Sequence, residues 1–251
     1  MKRIDSPDVP LRRGDSILIS GDYQHRARID GFRVQRFWHA EKERMVRKFS
    51  APAPGDRVLD IGCGSGVIAN VLASMGAVTT GIDANPAAVD YARRTFKQAN
   101  LDFRVGHVEE IDVPDATVDG VYCLELIEHI YEHQVRELFS ALNRICRVGG
   151  KLTITTPNYS GVWPFLERAL DTLRLVPRLD GDQHVTRFTR TRLRRLLEDT
   201  NWQVDVLTTF STVAPFASLL GWNFAERVAA MEDDLDFRFG NILFAVARKR
   251  R

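Results

Sequence analysis

Short apolar runs alternate along this chain with stretches in which apolar residues recur every three or four positions. RVLDIG (57–62), VTTGIDA (78–84), DFRVGHV (102–108), VDGVYCLEL (118–126) and KLTITTPN (151–158) are rich in Val, Ile, Leu and Thr and predict buried strands. After the first of them, Val67, Ile68, Val71, Leu72 and Met75 share one helical face. Asn85-Pro86 opens a helix to about residue 100, with proline at the first helical position, and another helix from about 133 to 146 ends in Gly149-Gly150. Strands and helices alternating in this way predict an α/β fold on a Rossmann-like, doubly wound parallel sheet.

The flanks read differently. Residues 22–49 place Phe37, Trp38, Met45, Val46 and Phe49 at helical spacing and stop at APAPG (51–55), so 1–54 is expected to be a helical extension and linker that lids the main domain, 55–251. Residues 161–176 carry an amphipathic stripe of Trp163, Leu166, Ala169, Leu170 and Leu173. Thr189 reads as the N-cap of the helix TRTRLRRLLEDTN, WQVDVLTTF (202–210) as a sixth strand, 216–234 as a second apolar helix and 240–250 as a closing strand. The two apolar helices form inserts at about 159–188 and 212–236.

Of 251 residues, 44% are hydrophobic and 27% charged, the balance of a globular protein with a substantial core. A net charge of +2 is too small to argue for nucleic acid by itself, since a basic footprint must be clustered as well as positive. Cys63, Cys123 and Cys146 lack metal-finger or CxxC spacing and read as buried small hydrophobes in a reducing compartment. MKRIDSPDVPLRRGDS has no signal-peptide core, and no apolar run reaches the ~18 residues of a membrane span. A cytoplasmic location is expected, with peripheral contact to a membrane left open.

The stretch VLDIGCGSG (58–66) carries the chemistry. Glycines at 62, 64 and 66 can adopt angles closed to other residues and let a ligand lie against the turn. Gly64-Ser65-Gly66-Val67-Ile68-Ala69 fits dinucleotide spacing, with Asp83 near the ribose position ~20 residues on. Asp60 decides otherwise, because a carboxylate beside the glycines repels a pyrophosphate and suits an ammonium and a sulfonium. S-adenosylmethionine (SAM) has both and no phosphate, which leaves Asp83 to accept from two ribose hydroxyls.

Taken in order, VLDIGCGSG, GIDANPAAVDYA, GHVEEI, VYCLELIEHI, RVGGKLTITTPN, RFTRTRLRRLLEDTNWQV and GNILFAVARK resemble the class I SAM-dependent methyltransferases, in particular the ubiquinone-biosynthesis O-methyltransferase branch. The resemblance covers about 58–249 and implies a seven-stranded sheet with an antiparallel last strand. It implies that Asp60, Gly62, Cys63, Gly64, Gly66 and Leu124 line the cofactor's methionine end, that Asp83 takes the ribose, and that Ala84 flanks the adenine. Where the family often carries an Asp after the third strand, this chain has His107, which leaves the adenine amino group to His107 or the backbone of Val108.

CLELIEHI places Glu125, Glu128 and His129 after the fourth strand, where this fold opens toward the methyl group, and His184 is a fourth candidate in the GDQH loop. Oxygen and nitrogen donors in this pattern suit a divalent cation such as Mg²⁺ or Zn²⁺. Two metal-using branches resemble it, the ubiquinone-biosynthesis enzymes and the methyltransferases that cap small RNAs on a terminal ribose. There the implied ion holds two neighbouring substrate oxygens and eases loss of a proton from one. Two other readings stay open: His129 as a metal-free general base, or glutamates that cap the next helix with His129 packed under the cofactor.

Arg187, Arg190, Arg192, Arg194 and Arg195 read as the wet face of the TRLRRLL helix rather than an RNA track. Phe37 and Trp38 are read as a cofactor lid, with anchoring of the leading helix as the alternative. The apolar inserts suggest a small-molecule, glycosidic or lipid-linked acceptor. The expected function is SAM-dependent O-methylation; the alternatives are an RNA methyltransferase and a noncatalytic scaffold, the last disfavoured by the intact Asp60, glycine turn and Asp83.

Overall fold

The computed structural model describes residues 20–107, 113–164, 184–234 and 239–250. Strands β1 (Arg57–Ile61), β2 (Val78–Asp83), β3 (Leu101–Val105), β4 (Val118–Leu124), β5 (Cys146–Pro157), β6 (Trp202–Phe210) and β7 (Ile242–Lys249) form one sheet in the order β3-β2-β1-β4-β5-β7-β6. β7 runs antiparallel to β5 and β6, while the pairings among β1 to β5 are parallel. The strand order reverses between β1 and β4, so their C-terminal ends flank the crevice in which open α/β sheets bind ligands.

Helices α1 (Tyr23–Ile29), α2 (Arg33–Phe49), α3 (Val67–Ser74), α4 (Pro86–Thr95), α5 (Glu132–Ile145), α6 (Arg190–Asp199), α7 (Ala214–Ala217) and α8 (Trp222–Asp234) accompany the sheet, with a 3₁₀ turn at Ile127–His129. Leu138, Phe139 and Leu142 of α5 and Leu193 and Leu197 of α6 pack with Val121, Ile154 and Leu243 in one buried cluster. Met45 and Val46 of α2 and Leu72 of α3 join Val58, Tyr122 and Phe244 in another. Each such side chain contributes roughly 1.5–3 kcal/mol by leaving water, which fixes the strand ends that carry the site.

The caps are as the residue types require. Asn85 accepts from the N–H of Ala87 at 3.0 Å, and Thr189 from that of Arg192 at 3.2 Å. Several boundaries differ from the pattern. The helix expected to reach residue 100 stops at Thr95, because Gln98 and Asn100 spend their amides on the Asn70, Ala73 and Ala77 carbonyls at the end of α3. The third strand ends at Val105 rather than 108. α5 ends at Ile145 and the chain enters β5 directly at Cys146, so Gly149, at φ +80°, lies inside the strand and does not cap the helix. The apolar helix expected at 216–234 is two helices: Glu232 of α8 accepts from the N–H groups of Thr212, Val213 and Ala214 and folds the chain back on itself. Residues 22–49, expected as one or two helices, are two, broken at 30–32. Val108 and most of the predicted helix at 161–176 lie outside the described residues. The three cysteines are buried and unpaired. No helix among the described residues is long and apolar enough to cross a membrane.

Candidate active site

The glycine turn leaves β1 with Gly62, Gly64 and Gly66 at φ +75°, +50° and +81°. A Cβ on Gly66 would lie 2.7 Å from the Phe103 ring and 2.8 Å from Ala92, so only glycine closes this turn against α4 and β3. Asp83 at the end of β2 braces it, accepting from the N–H of Gly64 at 2.7 Å and of Asn85 at 2.8 Å. Burial raises the Asp83 pKa and these two bonds oppose the shift. Each carboxylate oxygen keeps acceptor capacity for a hydroxyl.

Asp60, one residue before the C-terminal end of β1, is 2% exposed, and its Oδ2 has no hydrogen-bond partner. Burial pushes its pKa up to about 7, the Ala69 backbone pulls the other way, and the Asp83 charge adds to the rise. An orphaned buried carboxyl oxygen costs stability unless a ligand supplies a cation or donor. The other orphaned buried atoms include Glu125 Oε1, Thr155 Oγ1 and Trp163 Nε1. Together they fall at or just beyond the C-terminal ends of β1, β4 and β5. Three further orphaned atoms, Ser211 Oγ, Thr212 Oγ1 and Asn241 Oδ1, lie between β6 and β7, so it is the Asp60 and Glu125 oxygens, at the ends of β1 and β4, that mark the switch point as a ligand site.

The N-terminal helices cover this crevice. The N–H of His25 donates to Ser65 Oγ at 2.9 Å, and the N–H of Ser65 donates to Gln24 Oε1 at 3.3 Å. Gln24, His39, Lys42, Asp60, Gly62, Cys63, Val67, Ile68 and Leu124 line one cleft. Phe37 is 1% exposed and packs edge-on against Trp222 at 4.9 Å, so it anchors α2 to α8 rather than facing the cleft. Trp38 stacks at a tilt against Trp163, 5.5 Å away. Arg44 bonds both Glu41 and Asp233, which fastens α2 to the second insert. Leu124 lines the cleft, whereas His107 is exposed beyond β3.

The turn after β4 separates the four residues expected to share a metal. Glu128, His129 and His184 each offer one ligand atom, all within 4.8 Å of one another. Glu128 is 1% exposed and accepts from Thr156 Oγ1 at 2.9 Å; burial, with the Glu125 charge second, pushes its pKa up to about 8. His129 Nε2 lies 4.0 Å from Glu128 Oε1, and His184 Nδ1 meets the Tyr159 hydroxyl at 2.7 Å. The mixed oxygen and nitrogen set fits a divalent cation. Glu125 is a correction: it is absent from this cluster and pairs with Lys42 Nζ at 2.9 Å. Its backbone sits at φ +55°, a left-handed conformation that a non-glycine residue holds only under restraint. Burial raises the Glu125 pKa, but Lys42, His39 and Trp38 outweigh it and hold the group low, although no donor makes a well-formed bond to Oε1. The glutamates do not cap α5, since the N–H of Tyr131 donates to Gln134 Oε1 at 2.9 Å.

Three arginines of the cluster are engaged locally. Arg192 pairs with Glu132, Arg194 lies 3.7 Å from Glu198, and Arg187 sits over the Tyr159 ring at 5.4 Å. Lys42 and His39 are the site residues that the sequence reading missed. Lys42 stands on the apolar stripe of α2, four residues after Trp38 and three before Met45. A lysine in that register was the available signal.

Fold and site together define a SAM-binding methyltransferase domain. The chain belongs to the methyltransferase-domain family, whose model matches residues 30–207. A probable SAM-dependent methyltransferase from Mycolicibacterium smegmatis is 27% identical over 70% of this chain and 63% of its own. Ubiquinone biosynthesis O-methyltransferases from Schizosaccharomyces pombe (mitochondrial) and Methylocella silvestris are 30% and 35% identical over 60% and 48% of this chain. The chain spans 56% and 48% of those two proteins' lengths. The putative methyltransferase solved with the Trm112 activator from Haloferax volcanii superposes with a TM-score of 0.66, at 21% identity over 92% of this chain and 97% of that one. Magnesium protoporphyrin IX methyltransferase from Synechocystis with bound S-adenosylhomocysteine (SAH) gives 0.62, at 18% identity over 91% and 93%. These two likenesses establish the fold.

Proposed function

We propose that this protein transfers a methyl group from SAM to a hydroxyl of a small, largely apolar acceptor, with a divalent cation at Glu128, His129 and His184. The observation that carries this reading is the convergence of those three ligand atoms within 4.8 Å at the end of β4, beside the cleft that holds Asp60 and the glycine turn. Bound SAM supplies an electrophilic methyl on a sulfonium, and the cation would lower the pKa of a coordinated hydroxyl. The chain's part is positioning: Asp83 and the glycine backbone orient the donor, while α1 and α2 exclude water. With Glu128, His129 and His184 spent on the cation, the acidified hydroxyl would lose its proton to water, and Tyr159 orients the His184 ring through Nδ1. The likeness to ubiquinone biosynthesis O-methyltransferases supports oxygen as the acceptor atom. Exposed Phe216, Leu219, Leu220 and Phe224 on the second insert support an apolar or lipid-linked acceptor that meets the protein at a membrane surface.

The test is methyl transfer from labelled SAM to prenylated catechols, with Mg²⁺, Mn²⁺ or Zn²⁺ and with chelator. Activity that needs the ion and drops by about 10²-fold or more in His129→Ala supports the reading. Full activity in chelator removes the metal from it.

A further inference from the structure

We infer that Gln24 is a ribose-binding residue: laid over Gly64 by α1, its carboxamide donates an Nε2 hydrogen to a ribose hydroxyl of the cofactor whose own proton goes to Asp83. The inference rests on the SAM reading and adds to it a donor from outside the sheet.

The glycine turn has no backbone donor left for a ligand oxygen. The N–H groups of Gly62 and Cys63 both donate to the Ile82 carbonyl, at 2.8 and 3.1 Å, and that of Gly66 donates to the Cys63 carbonyl at 2.9 Å. The Gly64 N–H is taken by Asp83 and the Ser65 N–H by Gln24. Asp83, as a carboxylate, can only accept. A ribose hydroxyl that donates to Asp83 still carries lone pairs, and shutting them away from water without a donor costs free energy.

Gln24 supplies that donor. A Cβ on Gly64 would lie 2.6 Å from Gln24 Cδ and 2.7 Å from its Nε2, so the amide rests on the bare face of the turn. The Ser65 N–H fixes Oε1 at 3.3 Å, and Nε2 makes no hydrogen bond among the described residues. Gly64 meets Asp83 through its N–H and Gln24 through its Cα, so carboxylate and amide are neighbours across one residue, which a ribose ring can bridge. Gln24 also lines the cleft beside Asp60 and Gly62. α1 is pinned on both sides. The His25 N–H donates to Ser65 Oγ at 2.9 Å, His25 Nδ1 meets the Tyr91 hydroxyl at 2.7 Å, and a Cβ on Gly21 would fall 2.7 Å from the Ala88 nitrogen, so the chain entering α1 lies on the first turn of α4. The amide is in place before a ligand arrives, which lowers the cost of ordering it on binding.

The test is calorimetric binding of SAH and of its 2′-deoxy and 3′-deoxy analogues to the full chain, as wild type, Gln24→Met and Gln24→Glu. Gln24→Met should weaken SAH by about five- to tenfold, while one of the two deoxy analogues, having no hydroxyl for the amide to meet, stays within about twofold of its wild-type affinity. Gln24→Glu keeps the shape and the Ser65 bond but replaces the donor by a second acceptor, so it should weaken SAH at least as much and spare the same analogue. If Gln24 only packs on the turn, Gln24→Met weakens all three ligands alike, and the inference falls. An unchanged SAH affinity in Gln24→Met overturns it as well. Should Gln24→Met fail to fold, Gln24→Glu decides by the same comparison. Wild-type protein that binds none of the three ligands sinks the cofactor reading itself, an outcome distinct from these.

Discussion

Glu128 Oε1 and His129 Nε2 stand 4.0 Å apart, beyond hydrogen-bond reach yet within twice a metal–ligand bond of about 2.1 Å. Neighbours in sequence, they face one point because the 3₁₀ turn begins three residues after β4 ends, and Thr156 holds the other Glu128 oxygen from β5. Titration with Mn²⁺ should show one site that is lost in Glu128→Gln/His129→Ala. Glu128 must shed its proton to ligate, so affinity should climb with pH up to about 8 and then level. Affinity that is flat between pH 6 and 8 would count against Glu128 as a ligand.

Asp60 titrates at about 7 without a ligand, against an ordinary 3.8. The folded protein therefore keeps a proton that the unfolded chain has lost. That stabilising contribution is full below the ordinary pKa and disappears as pH rises through about 7. An ammonium ligand returns Asp60 to the charged form, so SAH binding at pH 6 should release about one proton. Calorimetry in buffers of different ionisation enthalpy reads this directly. Asp60→Asn should abolish the release.

Gly66→Ala places a Cβ 2.7 Å from the Phe103 ring at φ +81°. Backbone strain and the clash should together cost about 1–3 kcal/mol in chemical denaturation and weaken SAM at least tenfold. Gly55→Ala, also at positive φ but with open space around its Cβ, should cost less and leave SAM affinity intact.

Phe37→Ala removes a fully buried ring that joins α2 to Trp222 of α8. A loss of roughly 3–5 kcal/mol is expected, with α1 and α2 exchanging amide hydrogens faster than β4 and β5. Exchange that accelerates uniformly would mean that the extension and the insert do not unfold as a unit.

What the sequence made legible was local. The glycine turn, Asp60 and Asp83 lie within 24 residues of one another, and their chemistry follows from residue type and spacing. The caps at Asn85 and Thr189 were readable for the same reason. The antiparallel last strand came through resemblance, since periodicity identifies strands without orienting or ranking them, and the strand order was legible only in the structure. Lys42 was lost because its partner is 83 residues away and its helix was read by its apolar members alone. Glu125 was misplaced because proximity in sequence stood in for direction: at φ +55° its side chain turns to α2, away from Glu128. The split of the second insert depends on Glu232, whose acceptor role at the α7 N-terminus is a tertiary contact with no sequence signature.

The central claim is that the crevice at the ends of β1, β2 and β4 binds SAM. Isothermal titration of the full chain with SAM, for wild type and Asp83→Ala, tests it most directly. One site of micromolar affinity, weakened at least tenfold in a variant that keeps its unfolding midpoint, is the result expected. Absence of SAM binding by the folded wild-type protein, or equal binding by both proteins, would contradict it.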